Sequence, residues 1–482
     1  MISQIAFILI TGLGIALCAK RIASIKRNIL LGKDENRSDQ AGLRLRTMLT
    51  VAMGQSKMGR RPLAAFFHVI VYAGFILINI EVLEIIVDGI LGTHRAFASF
   101  LGNFYGVVIG FFEVLSMLVI LACVVFLVRR NFGQVKRLKG TEMKGWPVLD
   151  ANYILLIEIV LMKALIVMNA ADSALQAQFH MPISSLYVGF FNQFSATQLH
   201  LIVEIAWWFH WIGILFFINY IPYSKHLHIF LAFPNTYYSN LNAKGYIPNM
   251  ASVTTEVQLM LDPNAAPPEN YQAPEGFGAK DVTDLTWKNL MDAYSCTECG
   301  RCTSVCPANQ TGKLLSPRKV MMDTRDRLEI LGPLKDQHGK EYTDGKTLHD
   351  SISAEELWAC TTCNACVDIC PVNISPVDII MQMRQYLVME QSASPSELNG
   401  MLSNLENNGA PWPFNQMDKL NWDDFDIDIK DPSASDYRVV IKINNSTSQN
   451  LTPGPGDVNL PINITGLSSG STDVIFVEIQ DL

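Results

Sequence analysis

Long apolar runs dominate the first half of the chain and give way to polar sequence after Asn235. Five runs reach the ~20 apolar residues that a helix needs to cross a bilayer. They are Ile2–Ala19, Leu63–Ile86, Tyr105–Val128, Tyr153–Ala171 and Leu199–Ile221. The pattern predicts a five-helix transmembrane bundle over residues 1–231, followed by a region that lies outside the bilayer.

Shorter helical patterns follow in the second half. A capped helix start at Asp284 leads to the first of two cysteine runs, and Ser353 with Glu356 forms a capping box before the second. Apolar residues at helical spacing also occur around Pro317–Leu331. These patterns predict a helical domain over residues 285–414.

Loop-like and strand-like sequence flanks this domain. Pro-rich and Gly-rich stretches between residues 232 and 284 predict a linker without regular structure. Beyond residue 415 the chain is first acidic and then alternates as strands do, at Tyr437–Ile443, Leu460–Ile464 and Val474–Ile479. We expect a small β-rich tail over residues 415–482.

The charges between the apolar runs indicate an orientation in the membrane. The loop after the first run holds eleven Lys and Arg and the loop after the third holds six, whereas the other two loops hold one and none. The positive-inside rule then places the N-terminus outside and everything after Ile221 in the cytoplasm. Ile2–Ala19 has no basic residue before its apolar core, so we interpret it as an uncleaved anchor rather than a signal peptide. The net charge of −8 arises largely near the C-terminus, and no basic face predicts nucleic-acid binding.

Eight of the ten cysteines form two runs of identical spacing, each ending in Cys-Pro. The runs consist of Cys296, Cys299, Cys302 and Cys306, and of Cys360, Cys363, Cys366 and Cys370. Cytoplasmic thiols stay reduced, and this spacing is typical of ligands to two [4Fe–4S] clusters. Structural zinc, the alternative, is typically held by isolated cysteine pairs without the trailing Cys-Pro. Cys18 and Cys123 lie in apolar runs, where we expect buried packing residues.

Histidines in the second and fifth apolar runs suggest a further cofactor. Haem b in a helix bundle needs two imidazoles from different helices at one depth. His68 and His228 meet that requirement at the cytoplasmic face if the fifth helix extends past Pro222. His210 lies 18 residues before His228, which is five helical turns, so one continuous helix would carry both on the same side.

The sequences Phe66-Phe67-His68 and Pro222-Tyr223-Ser224-Lys225-His226-Leu227-His228-Ile229 resemble the cytochrome b subunit of respiratory nitrate reductases and the membrane subunits of heterodisulfide-reductase-like complexes. The resemblance implies that His68 and His228 bind a haem near the cytoplasmic face and that His210 binds a second, outer haem. The expected partner of His210, ten residues after His68, is Ile78 instead. Two alternatives stay open: the chain binds one haem, or His94 or His200 replaces the missing ligand.

The cysteine region resembles the small iron–sulfur subunit of heterodisulfide reductase and the corresponding iron–sulfur subunit of anaerobic glycerol-3-phosphate dehydrogenase. The similarity lies in the paired runs, in the 53 residues between Cys306 and Cys360, and in Asn407–Trp412, although Pro413 departs from the family pattern. It implies an α-helical ferredoxin in the cytoplasmic (inner) membrane of a prokaryote. It also implies two ligand sets: Cys296, Cys299, Cys302 and Cys370 for one cluster, and Cys360, Cys363, Cys366 and Cys306 for the other. The expected fold class is mainly α, a five-helix transmembrane bundle followed by an α-helical ferredoxin domain with a small C-terminal β appendage.

Several ionisable residues fall within the apolar runs, among them Glu113, Glu158, Lys163 and Glu204. Such residues are costly in a membrane and commonly functional. They either pair between helices or reach water, or they belong to a quinone pocket or a proton path beside the haem.

Together these features predict a membrane-anchored electron-transfer subunit of a hetero-oligomeric respiratory complex. Electrons would pass between the quinone pool, haem b, the two clusters and a separate cytoplasmic catalytic subunit. No Gly-x-Gly-x-x-Gly fingerprint for a nucleotide cofactor occurs. The alternative is a membrane-bound redox sensor or a structural scaffold subunit. The direction of electron flow and the substrate of the partner are not encoded in any recognisable residue.

Overall fold

The computed structural model describes residues 1–247, 249–262, 264–267, 276–413, 437–443, 446–451 and 475–481. Residues 1–393 form one compact unit and residues 394–482 a second. The first unit contains the apolar helices together with both cysteine runs.

The apolar half is helical throughout. Its helices are α1 (Ile2–Ile29), α2 (Ala41–Met48), α3 (Pro62–Leu91), α4 (Ala96–Leu101), α5 (Phe104–Asn131), α6 (Trp146–Ala171), α7 (Ser173–Gln178), α8 (Val188–Phe191), α9 (Ala196–Tyr220) and α10 (His228–Tyr237). Five of them, α1, α3, α5, α6 and α9, are long and apolar enough to cross a membrane. The five predicted spans are therefore confirmed.

The five long helices pack through small residues and leave large apolar side chains outside. A Cβ atom on Gly74 of α3 would collide with Val119 of α5, and one on Gly213 of α9 would collide with Leu161 of α6. Such close approaches drive helix association where lipid is as apolar as the helices themselves. Leu9, Phe111, Val160 and Phe216 are among the large apolar residues that stay exposed, as lipid-facing side chains would.

The fifth long helix ends earlier than expected. Tyr220 is the last residue of α9, short 3₁₀ turns follow at Ile221–Tyr223 and Lys225–Leu227, and α10 begins at His228. Ser224 between the two turns is extended, and its side chain accepts a hydrogen bond from the backbone of His226. The expectation that His210 and His228 share one continuous helix is wrong, because this capped break separates them.

The second half forms short helices around the cysteines. They are α11 (Ala251–Leu261), α12 (Trp287–Ser295), α13 (Arg301–Val305), α14 (Pro307–Gln310), α15 (Pro317–His338), α16 (Ala354–Trp358), α17 (Ala365–Ile369) and α18 (Pro376–Met389). The capping box of Ser353 with Glu356 is confirmed at α16, and α15 confirms the predicted helix at Pro317. The expected linker is not wholly irregular, since α11 lies within it.

The cysteine region packs directly on the ends of the long helices. The backbone N–H of Lys33, just after α1, donates to the carbonyl of Leu285 at 2.8 Å, and Trp287 N–H donates to the carbonyl of Lys33 at 3.0 Å. Arg21 of α1 pairs with Glu329 of α15 at 2.9 Å. These contacts hold the cysteine runs beside the end of the bundle where His68 lies.

The second unit contains α19 (Ser396–Asn408) and three strands, β1 (Tyr437–Ile443), β2 (Ser446–Leu451) and β3 (Ile475–Asp481). The strands form an antiparallel sheet in the order β2-β1-β3. The predicted strands at Tyr437–Ile443 and Val474–Ile479 are confirmed, and the one at Leu460–Ile464 lies outside the described residues.

Candidate functional site

The two cysteine runs have the same backbone conformation. The residue before the second cysteine of each run is left-handed, with φ of 52° at Glu298 and 53° at Thr362. The residue after it is left-handed as well, with φ of 68° at Gly300 and 57° at Asn364. Non-glycine residues rarely adopt this region unless the surroundings impose it. The repeated conformation means that both runs turn the same way around whatever they enclose.

The runs interleave rather than stand apart. Five cysteine side chains line one small cavity: Cys296, Cys299, Cys302, Cys366 and Cys370. Cys306, the last of the first run, instead has Cys360 and Cys366 as electrostatic neighbours. Cys370 thus lies with the first three cysteines of the first run, and Cys306 lies near two cysteines of the second run.

The thiols have the surroundings of cluster ligands rather than of a mononuclear metal site. In the described part of the chain, no three His, Cys, Asp or Glu side chains are arranged to hold a single metal ion. Backbone N–H groups point at sulfur, with Thr362 N–H 3.4 Å from Cys360 Sγ and Ile374 N–H 3.4 Å from Cys370 Sγ. Such hydrogen bonds are one of the means by which a protein adjusts cluster potentials.

Burial disfavours the thiolate form of these cysteines. It raises the pKa of Cys296 to about 12 and that of Cys366 to about 12, because desolvation disfavours the thiolate. Metal ligands must be deprotonated. These buried cysteines therefore fit a positively charged metal group, which would stabilise the thiolate form.

A larger cavity, of about 390 Å³, joins the bundle to the first cysteine run. His68 of α3 lines it, as do His226 and His228 beyond α9. On the far side the wall includes Cys299 of the first run and Pro371, which follows Cys370. The volume lies within the ~300–1,000 Å³ typical of cofactor pockets.

The imidazoles of His68 and His228 each have one ring nitrogen occupied. His68 Nδ1 lies 3.0 Å from Gln55 Oε1, and His228 Nδ1 lies 3.1 Å from the carbonyl oxygen of Lys225. A carbonyl oxygen can only accept, so Nδ1 carries the proton and Nε2 keeps its lone pair. This is the tautomer that a metal-binding histidine adopts. Burial also lowers the pKa of His228, which favours the neutral ring.

His226 is less clearly arranged. Its Nδ1 lies 3.0 Å from Ser224 Oγ, a hydroxyl that can donate or accept, so its tautomer is not determined by that contact. Its ring centroid lies 5.8 Å from that of His228. No pattern in the sequence singles out His226 as a ligand, although it lines the same cavity.

Four arginines line the end of the cavity nearest the cysteines, and sequence reasoning also missed their role there. They are Arg129, Arg130, Arg137 and Arg301. The sequence analysis used the first three only as positive charges that indicate the orientation in the membrane. Arg301 lies between Cys299 and Cys302. Guanidinium groups recognise carboxylates and phosphates. The cavity is therefore apolar on one side, basic on the other and suited to an amphipathic ligand with acidic groups.

A buried ion pair links the histidine segment to the first cysteine run. Lys225 Nζ lies 2.5 Å from Glu298 Oε2, and Arg325 binds the other oxygen of Glu298 at 2.9 Å. Lys225 and Glu298 are 7% and 4% exposed. Although burial alone would raise it, Lys225 and Arg325 hold the pKa of Glu298 below its ordinary value. The residue that accepts the hydrogen bond of His228 is thus paired with the loop between Cys296 and Cys299.

The other candidate ligands lie elsewhere. His210 is 1% exposed but does not line the cavity, and its Nδ1 has no hydrogen-bond partner among the described residues. Ile78, at the expected position of its partner, packs in the apolar core between the long helices. His94 and His200 have side chains 59% and 76% exposed and pair with carboxylates. Among the residues that the structure describes, His68 and His228 thus lie at one cavity, and no second such pair of candidate ligands does.

The ionisable residues of the spans divide into three environments. Glu158 lines the cavity, whereas Glu113 is fully buried in a polar network at the opposite end of the bundle. Lys163 and Glu204 are exposed. Cys18 and Cys123 are both buried, as expected.

Comparison with known proteins agrees with the cysteine geometry. Residues 295–374 match the model of a 4Fe-4S dicluster domain, so the chain contains a [4Fe–4S] domain. No solved structure matches the chain significantly.

Relatives extend over most of the chain. It is 27% identical over 466 residues to a probable iron-sulfur-binding oxidoreductase, FadF, of Bacillus subtilis, a match that covers 90% of this chain and 63% of that protein. It is 28% identical over 425 residues to EtfAB:quinone oxidoreductase of Syntrophomonas wolfei, covering 82% and 56%. A probable membrane-anchored ferredoxin of Chromohalobacter salexigens is 32% identical over 162 residues, covering 30% and 24%.

The chain therefore spans about six tenths of the length of the first two of these relatives. Subunits of heterodisulfide reductases are also similar to parts of it. These matches, together with the five apolar helices, make the chain a homologue of membrane iron–sulfur oxidoreductases and heterodisulfide-reductase-like subunits that carry a 4Fe–4S domain and transfer electrons.

Proposed function

We propose that the protein conducts electrons between a quinone in the membrane and a soluble redox protein, by way of one haem b and two [4Fe–4S] clusters. One observation carries the proposal: a single cavity is lined by His68 and His228 on one side and by Cys299 and Pro371 on the other. A cofactor in that cavity would adjoin the first cluster without intervening protein layers.

The wall of the cavity supports a haem b held by His68 and His228. Both rings use Nδ1 for a hydrogen bond, which leaves Nε2 as a ligand. Aromatic side chains such as Phe75 and Phe126 line the bundle side, and the arginines at the other end suit the propionate groups. Haem b, when bound, supplies reversible one-electron transfer. A second haem at His210 has no comparable support.

The order of the clusters follows from exposure. The first is held by Cys296, Cys299, Cys302 and Cys370, and Cys299 lines the wall of the cavity. The second is held by Cys360, Cys363, Cys366 and Cys306, among which Cys363 is exposed. Electrons therefore exchange with the haem through the first cluster and with the soluble partner through the second.

The membrane substrate is proposed by analogy and by position. The relative from Syntrophomonas wolfei is named for EtfAB and quinone, which supports a quinone on one side and a soluble protein on the other. Glu158 lies in the cavity wall within the span of α6, where a carboxyl group can exchange protons with a quinone. The basic loops support an orientation with the cluster domain in the cytoplasm. Residues 1–231 would form the membrane domain, residues 285–414 the cluster domain and residues 232–284 the connection between them.

The haem assignment is tested by His68→Ala and His228→Ala in the purified full chain. Each variant should lose the b-type absorbance while the cluster signals in electron paramagnetic resonance persist. His226→Ala is the matched control, because its ring lines the same cavity and should leave the absorbance in place. Retention of the haem in both His68→Ala and His228→Ala would show that the pair is wrongly assigned.

A quinol analogue tests the whole conduit. Decylubiquinol should reduce first the haem and then the clusters of the wild-type protein. Clusters that stay oxidised while the haem is reduced would contradict the proposed connection, and a chain without b-type haem would contradict its membrane half.

A further inference from the structure

Glu81 on α3 stands out among the buried carboxyl groups because neither of its oxygens is hydrogen-bonded within the described part of the chain. The side chain is 3% exposed. An ionised carboxylate cannot remain in an apolar interior without a partner. Glu81 therefore holds a proton in the resting protein.

Its position lies between the cavity and the far end of the bundle. Glu81 follows His68 by 13 residues on the same helix, which is about 20 Å at the helical rise per residue. The cavity wall on α3 extends as far as Ile76, five residues before Glu81. Beyond Glu81, the helix continues to the end of the bundle opposite the cysteine runs.

The neighbours of Glu81 form a polar network toward that end. In the described residues this region holds five buried carboxyl groups: Glu81, Glu84, Asp88, Glu113 and Asp172. The buried cation among them is Arg95, and His94 adds a second positive charge only when protonated. Carboxyl groups thus outnumber cations in this region, which favours the neutral form of a carboxyl group that lacks hydrogen-bond donors.

The other carboxyl groups of the network are satisfied, in contrast to Glu81. Glu113 accepts hydrogen bonds from Asn169 and from the backbone N–H groups of Ile183 and Ser184, at 3.0 to 3.1 Å. Asp88 accepts from the backbone of Arg95 at 2.8 Å and from Thr93 at 2.7 Å. Such contacts satisfy the hydrogen-bonding capacity of the carboxyl oxygens. Glu81 is the member of the network that is arranged to gain and lose a proton.

Hydrogen bonds link Glu84, one turn of α3 beyond Glu81, to groups at the surface. Tyr105 donates to Glu84 at 2.9 Å and accepts from Arg95 at 3.2 Å. Arg95 in turn binds Asp172 at 2.8 Å, and Asp172 contacts His94 at 3.0 Å. The His94 side chain is 59% exposed, so the path opens at the face of the bundle opposite the clusters.

We propose that Glu81 exchanges protons with the membrane quinone and, beside this polar network, with water at the face opposite the clusters. The inference rests on the proposed quinone-linked function. Reduction of one quinone takes two electrons, delivered one at a time through the clusters and the haem, and two protons. Each proton leaves the Glu81 carboxyl group, forms an O–H bond of the quinol and is replaced from the water at the face opposite the clusters. Oxidation reverses each step, with the two electrons leaving to the soluble protein.

The test compares Glu81→Gln with the wild-type full chain in liposomes. Glutamine keeps the shape but cannot transfer a proton, so reduction of the clusters by decylubiquinol should slow about 100-fold or more. Haem and cluster spectra after dithionite reduction should not change. Glu204→Gln, an identical replacement at a side chain that is 62% exposed, should keep the wild-type rate. A Glu81→Gln protein that reacts at the wild-type rate would overturn the proposal.

Redox-difference infrared spectroscopy tests the same group without quinone. Electrochemical reduction of the wild type should perturb the C=O stretch of a protonated carboxylic acid, and Glu81→Gln should lack that band. A band that persists in the variant would contradict the role of Glu81. If the wild type itself took no electrons from decylubiquinol, the proposed function would fail, and the infrared band would still report separately on proton exchange at Glu81.

Discussion

The two cysteine runs have the same spacing and the same left-handed turns, yet they lie in different surroundings. The first is pressed against the membrane helices, where Cys296 is 7% exposed and Glu298 is paired with Lys225. The second carries Thr362 at the position of Glu298, and its Cys363 is exposed. The same local motif thus occurs once in a buried environment and once in an exposed one. We infer that the buried copy exchanges electrons inside the protein and the exposed copy exchanges them with a partner.

Removing either cluster should have the largest effect on electron transfer and should distinguish these two roles. Cys296→Ala should remove the first cluster and stop electron flow from the haem to any soluble acceptor. Cys363→Ala should leave reduction of the first cluster by the haem intact while transfer to the soluble partner falls to background. Stopped-flow reduction with decylubiquinol, followed by cluster resonance, measures both. Equal effects of the two substitutions on the first cluster would remove the distinction between the runs.

A second pair of substitutions tests the interleaving. Cys370→Ala lies in the second run but should abolish the same cluster resonance as Cys296→Ala. Cys306→Ala lies in the first run but should abolish the resonance that depends on Cys363. If each substitution instead removed the cluster of its own run, the two ligand sets would be separate rather than crossed.

The buried ion pair gives the next largest difference. Glu298→Ala leaves the ammonium group of Lys225 buried without its closest partner, and breaking such a pair costs about 3–5 kcal/mol. Thr362→Ala, at the equivalent exposed turn, should change the free energy of unfolding by no more than about 0.5 kcal/mol. Thermal unfolding of the cluster-loaded proteins measures both.

Replacement of both charges is the control for that pair. Apolar residues of similar size at a buried ion pair are often neutral or stabilising, so Lys225→Met with Glu298→Leu should recover much of the lost stability. A double variant that is as unstable as Glu298→Ala would mean that Glu298 acts through Arg325 rather than through Lys225.

The smallest expected difference concerns the left-handed residue after the second cysteine. Gly300→Ala should cost more than the ~1–2 kcal/mol of a left-handed alanine, because the added Cβ would lie 2.8 Å from the carbonyl oxygen of Arg137 and would clash with Arg318. Asn364→Ala, at the matching position, should cost only the backbone term, and Asn364→Gly should be close to neutral. Equal losses at the two positions would show that packing against the bundle does not distinguish the runs.

Local patterns accounted for much of the fold. The five apolar runs became five long helices, and the capping box at Ser353 and the helix at Pro317 formed as the sequence predicted. Each depends on residues within a few turns of one another, so periodicity and capping suffice to predict it. The cysteine spacing is equally local, and it led to the [4Fe–4S] domain that the family comparison supports.

The break after Tyr220 is the point at which a local pattern was misleading. The 18 residues from His210 to His228 equal five helical turns, so the sequence favoured one helix that carried both histidines. Proline lacks the N–H that would extend the helix, and Ser224 caps a new turn instead. His228 therefore reaches the cavity from a separate segment, whereas His210 stays within the bundle.

What the sequence alone determined is which segments are helical, which of them can cross a membrane and which residue types can hold iron. Only the tertiary structure brought Lys225 to Glu298, placed Arg301 at the same cavity as Arg129, Arg130 and Arg137, and left both oxygens of Glu81 without a hydrogen-bond partner among the described residues. These contacts join residues tens to hundreds of positions apart, and their formation depends on how whole helices pack. Periodicity describes which face of a helix is buried, but only packing decides what that face meets.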